Sequence, residues 1–386
     1  MTGFRWVAPL IVVLTGWTLA AGRAEAYPEW APGGAIGGCH QCHLAPAGGG
    51  LLSRDGRRAV GEQLSSFSGQ GAVLHGAAAL PGWLVLGADL RGGYAATDVG
   101  DRGGPGQTVA LTQADAALAL LMDRWSVLGT LGTRGDFPGG AAGMVPAQNY
   151  QPVAASRLVS REHWLMWRPR RTGVYARAGR FFAPFGLQLA QSATFVRRDL
   201  GFNQLEESYN LSGGYLGDPW QAHLTAFAPD FVRHFGSEES GGTGTLEHRI
   251  DSGHGAVAIQ AKYGRRTGSS RTVAGVVGKY RVTPLATLFF TEADVVRFSV
   301  DGLPIRGQAI GLLGGSVTPT RGVTVTGLLE HFQQDLQVSG AARSAGMLVL
   351  DWLPYAHFEA QISARVERAA GGDRARSLLA QLHYFL

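Results

Sequence analysis

The chain has only two cysteines, and both lie in one five-residue run, Cys39-His40-Gln41-Cys42-His43. Cys-x-x-Cys-His is the attachment signature of c-type haem. Two thiols one short turn apart reach the two vinyl groups of a porphyrin, and the imidazole that follows is placed to ligate the iron. On this reading Cys39 and Cys42 hold one covalent haem c, and His43 is the proximal iron ligand. Two other chemistries use a paired Cys-x-x-Cys. A redox dithiol sits at the start of a helix in a βαβ setting, whereas Pro32, Gly33, Gly34, Gly37 and Gly38 precede this motif. A structural zinc site needs a second ligand pair, and the chain has no further cysteine. His40 faces away from its neighbours and reads as a bystander.

The second axial position has several candidates. His75 is the only histidine between the motif and residue 82, so it is the candidate distal ligand; a polar residue in the linker to the first strand is the commoner explanation. Met122, Met144, Met166 and Met347 follow further on. A lumen-facing methionine in the same role raises the potential, although methionine on a strand also serves as packing.

The elements that must position this chemistry are short. Gly48-Gly49-Gly50 allows backbone to pass close to a flat ring, or forms a turn. Over residues 51–67, Val60, Leu64 and Phe67 share one helical face that is able to cover a haem. Arg54, Arg57 and Arg58 lie on the other side, either pairing with propionates or simply solvated. Residues 27–82 form a haem-bearing plug and linker too small to build a secure core without a staple. Haem is one staple and a neighbouring wall is the other.

Upstream, residues 1–26 read as a secretory signal: Arg5, an apolar run from Trp6 to Ala21, and the small-residue site Ala24-Glu25-Ala26. Export disfavours nucleic acid as a partner despite a net charge of +5, and the basic residues are scattered. The 57 glycines come without a collagen period, and 45% hydrophobic residues with nine Trp exclude a disordered polar tract. No stretch after residue 26 has the length of apolar sequence that a membrane helix needs.

From Trp83 to Leu386 the chain alternates with period two. In Ala356 to Glu367 the even positions are Ala356, Phe358, Ala360, Ile362, Ala364 and Val366, and the odd positions are all polar. Val257, Ile259 and Tyr263 against Gln260 and Lys262, and Val174, Ala176 and Ala178 against Tyr175 and Arg177, repeat the pattern. A soluble sandwich also alternates. Export, long segments, and short turns at Thr283-Pro284, Thr318-Pro319-Thr320 and Pro354 alternating with longer loops favour a transmembrane antiparallel β-barrel over residues 83–386. The run from Ala375 to Leu386 reads as its closing strand. Counting gives about sixteen strands, with about fourteen or eighteen also compatible; Thr243 to Ile250 is the strand that parity demands rather than pattern. The fold class is therefore mainly β, with a small helical haem plug. Asp115, Glu292, Asp294, His357, Glu359 and Arg365 are candidate lumen residues for ion traffic.

Signal, one Cys-x-x-Cys-His, then one barrel is an order that resembles the fused outer-membrane cytochrome-porins of iron-oxidising bacteria and their relatives in other Gram-negative groups. The likeness lies in Cys39, Cys42, His43, Pro46, Gly48, Gly49 and Gly50, and in Arg177-Ala178-Gly179 followed by Phe185-Gly186-Leu187. It implies an outer-membrane protein with the haem domain seated in the barrel lumen or at its periplasmic mouth, and electron transfer across that membrane, with oxidation of extracellular Fe(II) as one use. The implied partners are outer-membrane lipid, a periplasmic electron carrier such as a soluble cytochrome, and an extracellular redox substrate. Two other classes stay open: a passive diffusion porin whose haem plug is structural, and a haem peroxidase-like enzyme with an open sixth position and a distal acid or base.

Overall fold

A computed structural model describes residues 38–69, 73–77, 79–98, 106–134, 158–191, 193–202, 206–229, 238–282, 287–369, 372 and 374–386. The signal segment 1–26, the leader to residue 37 and Met144 lie outside these. Sixteen antiparallel strands close into one barrel: β1 (Leu84–Asp98), β2 (Gly106–Met122), β3 (Trp125–Arg134), β4 (His163–Trp167), β5 (Gly173–Phe181), β6 (Ser208–Leu216), β7 (Trp220–Ala228), β8 (Ser240–Ile250), β9 (Gly255–Arg266), β10 (Ser269–Val282), β11 (Thr287–Val300), β12 (Arg306–Thr320), β13 (Val323–Gln333), β14 (Ala342–Trp352), β15 (Phe358–Ala369) and β16 (Arg374–Phe385). Each strand pairs with its sequence neighbours, and β16 returns to β1 from Asp89↔Phe385 to Asp98↔Arg376. Closure leaves no open edge. The strand that parity required is β8, and the closing strand is β16, as expected.

The expected turns all fall at one mouth. Pro354 joins β14 to β15, and residues 283–286, which lie outside the described set, join β10 to β11. Thr318-Pro319-Thr320 is the end of β12 rather than the turn itself. Pro319 has no N–H to give, so the β12–β13 register slips between Val317 and Thr320, and Arg321-Gly322 makes the turn. The opposite mouth carries the longer connections, including residues 135–162 and 182–207.

Alternation along the strands does what the pattern predicts. In β15, Phe358, Ile362 and Val366 point outward while Ser363 and Arg365 are buried. Gln260, Lys262, Tyr175 and Arg177 face inward; Val257, Ile259 and Val174 face outward. Two members of the predicted segment differ: Ala356 and His357 precede the strand and are fully buried in the turn.

One half of the lumen contradicts a uniformly wet interior. Val273, Val277, Leu288, Phe290, Ile310 and Leu328 point inward yet are apolar and buried. They are covered by the β5–β6 connection, which folds into the barrel and carries Phe185, Leu187, Leu189, Phe195, Val196 and Leu200 into the same cluster. A helical turn within it spans Phe195–Arg198. Burying each such side chain contributes roughly 1.5–3 kcal/mol, so the inward connection is held as a second core.

The plug sits at the short-turn mouth. A 3-10 turn (Cys39–Gln41) leads to a tight hairpin in which His43 bridges Leu52, then to α1 (Arg54–Ala59) and a π-turn (Val60–Leu64). The predicted continuous helix is thus two short pieces. Val60 and Leu64 pack with Leu52 and Leu353, while Phe67 swings out, 62% exposed, against Tyr355. The barrel is the staple that so small a unit needs: Ser66 N–H donates to Leu353 O at 2.8 Å and Phe67 N–H to Pro354 O at 3.0 Å, while Arg54 ties down the linker through Pro81 O at 2.8 Å. Gly322 admits this contact, since a Cβ there would stand 2.2 Å from Ser66 Oγ.

Candidate haem site in the barrel lumen

The motif is shaped by its own backbone. Cys42 and His43 N–H both donate to Cys39 O, at 3.2 and 2.9 Å, which places His43 one turn from Cys39 on the same side. Ser53 ties the motif to the helix that follows: its Oγ donates to Gln41 O at 2.8 Å and accepts from Gly56 N–H at 3.1 Å, capping α1. Gly48, at φ +91°, folds back over the turn. A Cβ at that position would lie 3.0 Å from Cys39 Cβ and 3.9 Å from His43 Cδ2.

A cavity of about 510 Å³ opens against this wall. Cys39, His43, Gly48, Val60 and Leu64 line it from the plug; Phe182 to Gln191 line it from the inward connection; inward strand residues complete it. His43 is 6% exposed; neither ring nitrogen makes a well-formed hydrogen bond, and the polar groups that approach the ring are the Gly49 and Gly50 backbone. Burial lowers the His43 pKa to about 4 and raises both thiols above their ordinary value, with the charge of neighbouring Cys39 adding to the effect on Cys42. The imidazole is therefore held neutral, the form that ligates metal. An orphaned, neutral imidazole beside a free thiol at a cavity wall fits a haem c ligated by His43. Cys39 and Cys42 are both free cysteines, and Cys42 is buried behind the lining.

His40 is buried too, with both ring nitrogens unpartnered, and burial followed by the charge of Arg168 lowers its pKa to about 4. It does not line the cavity, in keeping with a bystander.

His75, the expected distal ligand, does not line the cavity. It is exposed on the linker, 5.2 Å from the His357 ring and stacked on Phe358 at 6.0 Å, and it is not brought to His43. Met122 faces outward at 52% exposure, and Met166 is buried in the cluster of Leu44 and Leu51. Met347, His223 and His383 line the cavity. Both nitrogens of His383 are engaged, by Glu359 at 2.7 Å and Asp89 at 3.1 Å, whereas Tyr175 OH meets only Nδ1 of His223, at 2.8 Å. Nothing in the strand sequence around His223 marks it; only barrel closure carries it to the plug.

The basic face of α1 does not reach the cavity as a propionate clamp. Arg54 holds the linker, Arg57 donates to Leu86 O on the barrel wall, and Arg58 pairs with Asp55 at 2.8 Å. Of the predicted ion-traffic residues, Glu292 accepts from Leu187 N–H at 2.7 Å and Arg365 pairs with Glu330, so both fasten the inward connection. Asp294 is bridged to Glu292 through Gln260, and Asp115 lies 3.8 Å from Arg161. Glu359 lines the cavity; His357 is in a turn, away from the lumen face.

No protein-family model matches the chain, and no curated protein matches it. Solved structures do. An anion-selective porin from Comamonas acidovorans aligns with a TM-score of 0.59 at 10% identity, over 78% of this chain and 99% of that one. OprB of Pseudomonas putida aligns at 0.57 and 11%, over 79% and 94%. The outer membrane channel DcaP of Acinetobacter baumannii aligns at 0.55 and 12%, over 78% and 97%. The barrel is porin-like. At such identity the likeness concerns the fold alone.

Proposed function

We propose that this porin-like barrel resides in the outer membrane of a Gram-negative bacterium, carries one covalent haem c on Cys39 and Cys42, and passes electrons across that membrane. The observation that carries the reading is His43, a buried imidazole with no side-chain partner and no well-formed hydrogen bond, facing a lumen cavity beside Cys39. When bound, haem supplies one-electron exchange. The chain's own residues do the rest. The 3-10 turn presents the thiols and the imidazole, Gly48 lets the hairpin close over them, and Val60, Leu64 and Phe185 wall the cavity with apolar surface. The barrel spans the bilayer, so a donor outside and a soluble periplasmic carrier are able to approach one centre from opposite mouths. Oxidation of extracellular Fe(II) is one such use.

The porin likeness, taken alone, favours the second reading, a passive diffusion porin in which the plug is structural. One preparation separates the two. Protein from outer membranes is denatured and stained for covalent haem, then reconstituted into liposomes holding a trapped electron acceptor, with an impermeant donor outside. Haem retained through denaturation together with acceptor reduction supports electron transfer. Absence of covalent haem sinks it, and solute conductance indifferent to reduction of an attached haem favours diffusion.

A further inference from the structure

Each of the other Arg and Lys side chains lining the lumen cavity has an acceptor among the described residues. Arg91 pairs with Asp89 at 2.8 Å, Arg161 with Glu207 at 2.8 Å and Lys279 with Glu247 at 2.6 Å. Even Arg249 has an exposed carboxylate, Asp218, at 3.8 Å. Arg177 is different. It is 3% exposed, its Nε is buried without a hydrogen-bond partner, and no described carboxylate forms an ion pair with it. Its guanidinium lies 3.6 Å from the ring centroid of Phe181 and 5.6 Å from that of Trp164. Both rings belong to the buried cluster of Leu44 and Leu51, so the cation stands at the wall formed by the motif's own hairpin.

A buried guanidinium without an anion is costly, and aromatic stacking offsets only part of that cost. The neighbouring titratable groups do not neutralise it by contact. Glu162 accepts from Trp164 Nε1 at 3.3 Å, and Tyr175 and His223 bond to each other. What remains open to Arg177 is the cavity.

We propose that Arg177 binds a carboxylate in the lumen cavity. Resting on the haem reading above, the carboxylate is a propionate of the haem that His43 ligates; without haem, it is that of a solute entering the lumen. Arg is suited to either by its fork of donors.

The test uses the full chain purified from outer membranes, with barrel folding checked by unboiled-gel mobility. In redox titrations of the wild type, the midpoint potential stays flat between about pH 5 and pH 8, because the guanidinium keeps the propionate ionised. Arg177→Gln lowers the potential at about pH 8 by roughly tenfold in the oxidised-to-reduced ratio, about 59 mV for one electron. The difference closes towards about pH 5, where the unpaired propionate takes up a proton instead. Arg177→Lys restores the flat profile. If Arg177→Gln does not fold, Arg177→Met is read in the same way. A charge-removing variant with attached haem and the wild-type pH profile overturns the proposal. If the wild type carries no haem, the haem reading fails, and planar-bilayer chloride currents decide the solute form: succinate lowers the current severalfold in the wild type and not in Arg177→Gln. An equal succinate response in both overturns the proposal.

Discussion

At the residue scale, the chemistry is confined to a hairpin that the rest of the fold does not need for closure. Replacing Cys39 and Cys42 together by Ala removes both proposed attachment points while leaving all sixteen strand pairings intact. The expected outcome is a chain without haem stain after denaturation that still shows the mobility shift of a folded barrel; haem retained by the double variant would exclude these sulfurs as anchors. Gly48 is a second such position. At φ +91° an L side chain is strained by about 1–2 kcal/mol, and its Cβ would press on Cys39 at 3.0 Å. Gly48→Ala is therefore expected to lower the yield of attached haem severalfold. Gly49→Ala, whose Cβ would meet nothing nearer than 3.7 Å, bears the backbone strain alone and loses less. Equal losses would assign the effect to backbone strain and not to the cradle.

At the element scale, the inward β5–β6 connection is held by acids on the facing wall. Glu292 accepts from Leu187 N–H and from Gln260, and Gln260 accepts from Gly186 N–H at 2.7 Å. Truncating Glu292 to Ala leaves buried donors unpaired, at about 1–3 kcal/mol, without touching the lipid face. Residues 182–202 are then expected to become sensitive to protease in detergent and the pore to conduct more, with barrel mobility unchanged. Wild-type protease resistance would mean that the apolar cluster alone holds the connection. The strand alternation that positions Glu292 is plain in the sequence. Its use as a tether is not, because the Leu187 N–H it meets lies 105 residues away.

At the scale of the whole molecule, an apolar outer face is what commits the barrel to lipid. Leu224, 72% exposed at the middle of β7, adjoins the buried Thr225. Leu224→Arg is expected to destabilise folding into bilayers by about 2–4 kcal/mol, as for a cation at the midplane. Trp220→Arg, at the strand end, is expected to cost about 0–1 kcal/mol. Denaturant titrations in lipid vesicles measure both, and equal costs would contradict a bilayer centred on this belt.

Local chemistry and period-two patterning lie in the order of residues, because side chains alternate across a strand whatever surrounds it. That is why the Cys39-to-His43 motif, the barrel, a count of about sixteen strands and the parity strand β8 are legible in the sequence. Which residues share the lumen was decided by closure. It brings Arg177, His223 and Met347 to the cavity, leaves His75 at the rim beside Phe358, and turns the inward apolar faces of β10 to β14 into a second core under the β5–β6 connection. Alternation names the side of the wall a residue is on; only register around the full circumference names what it faces there.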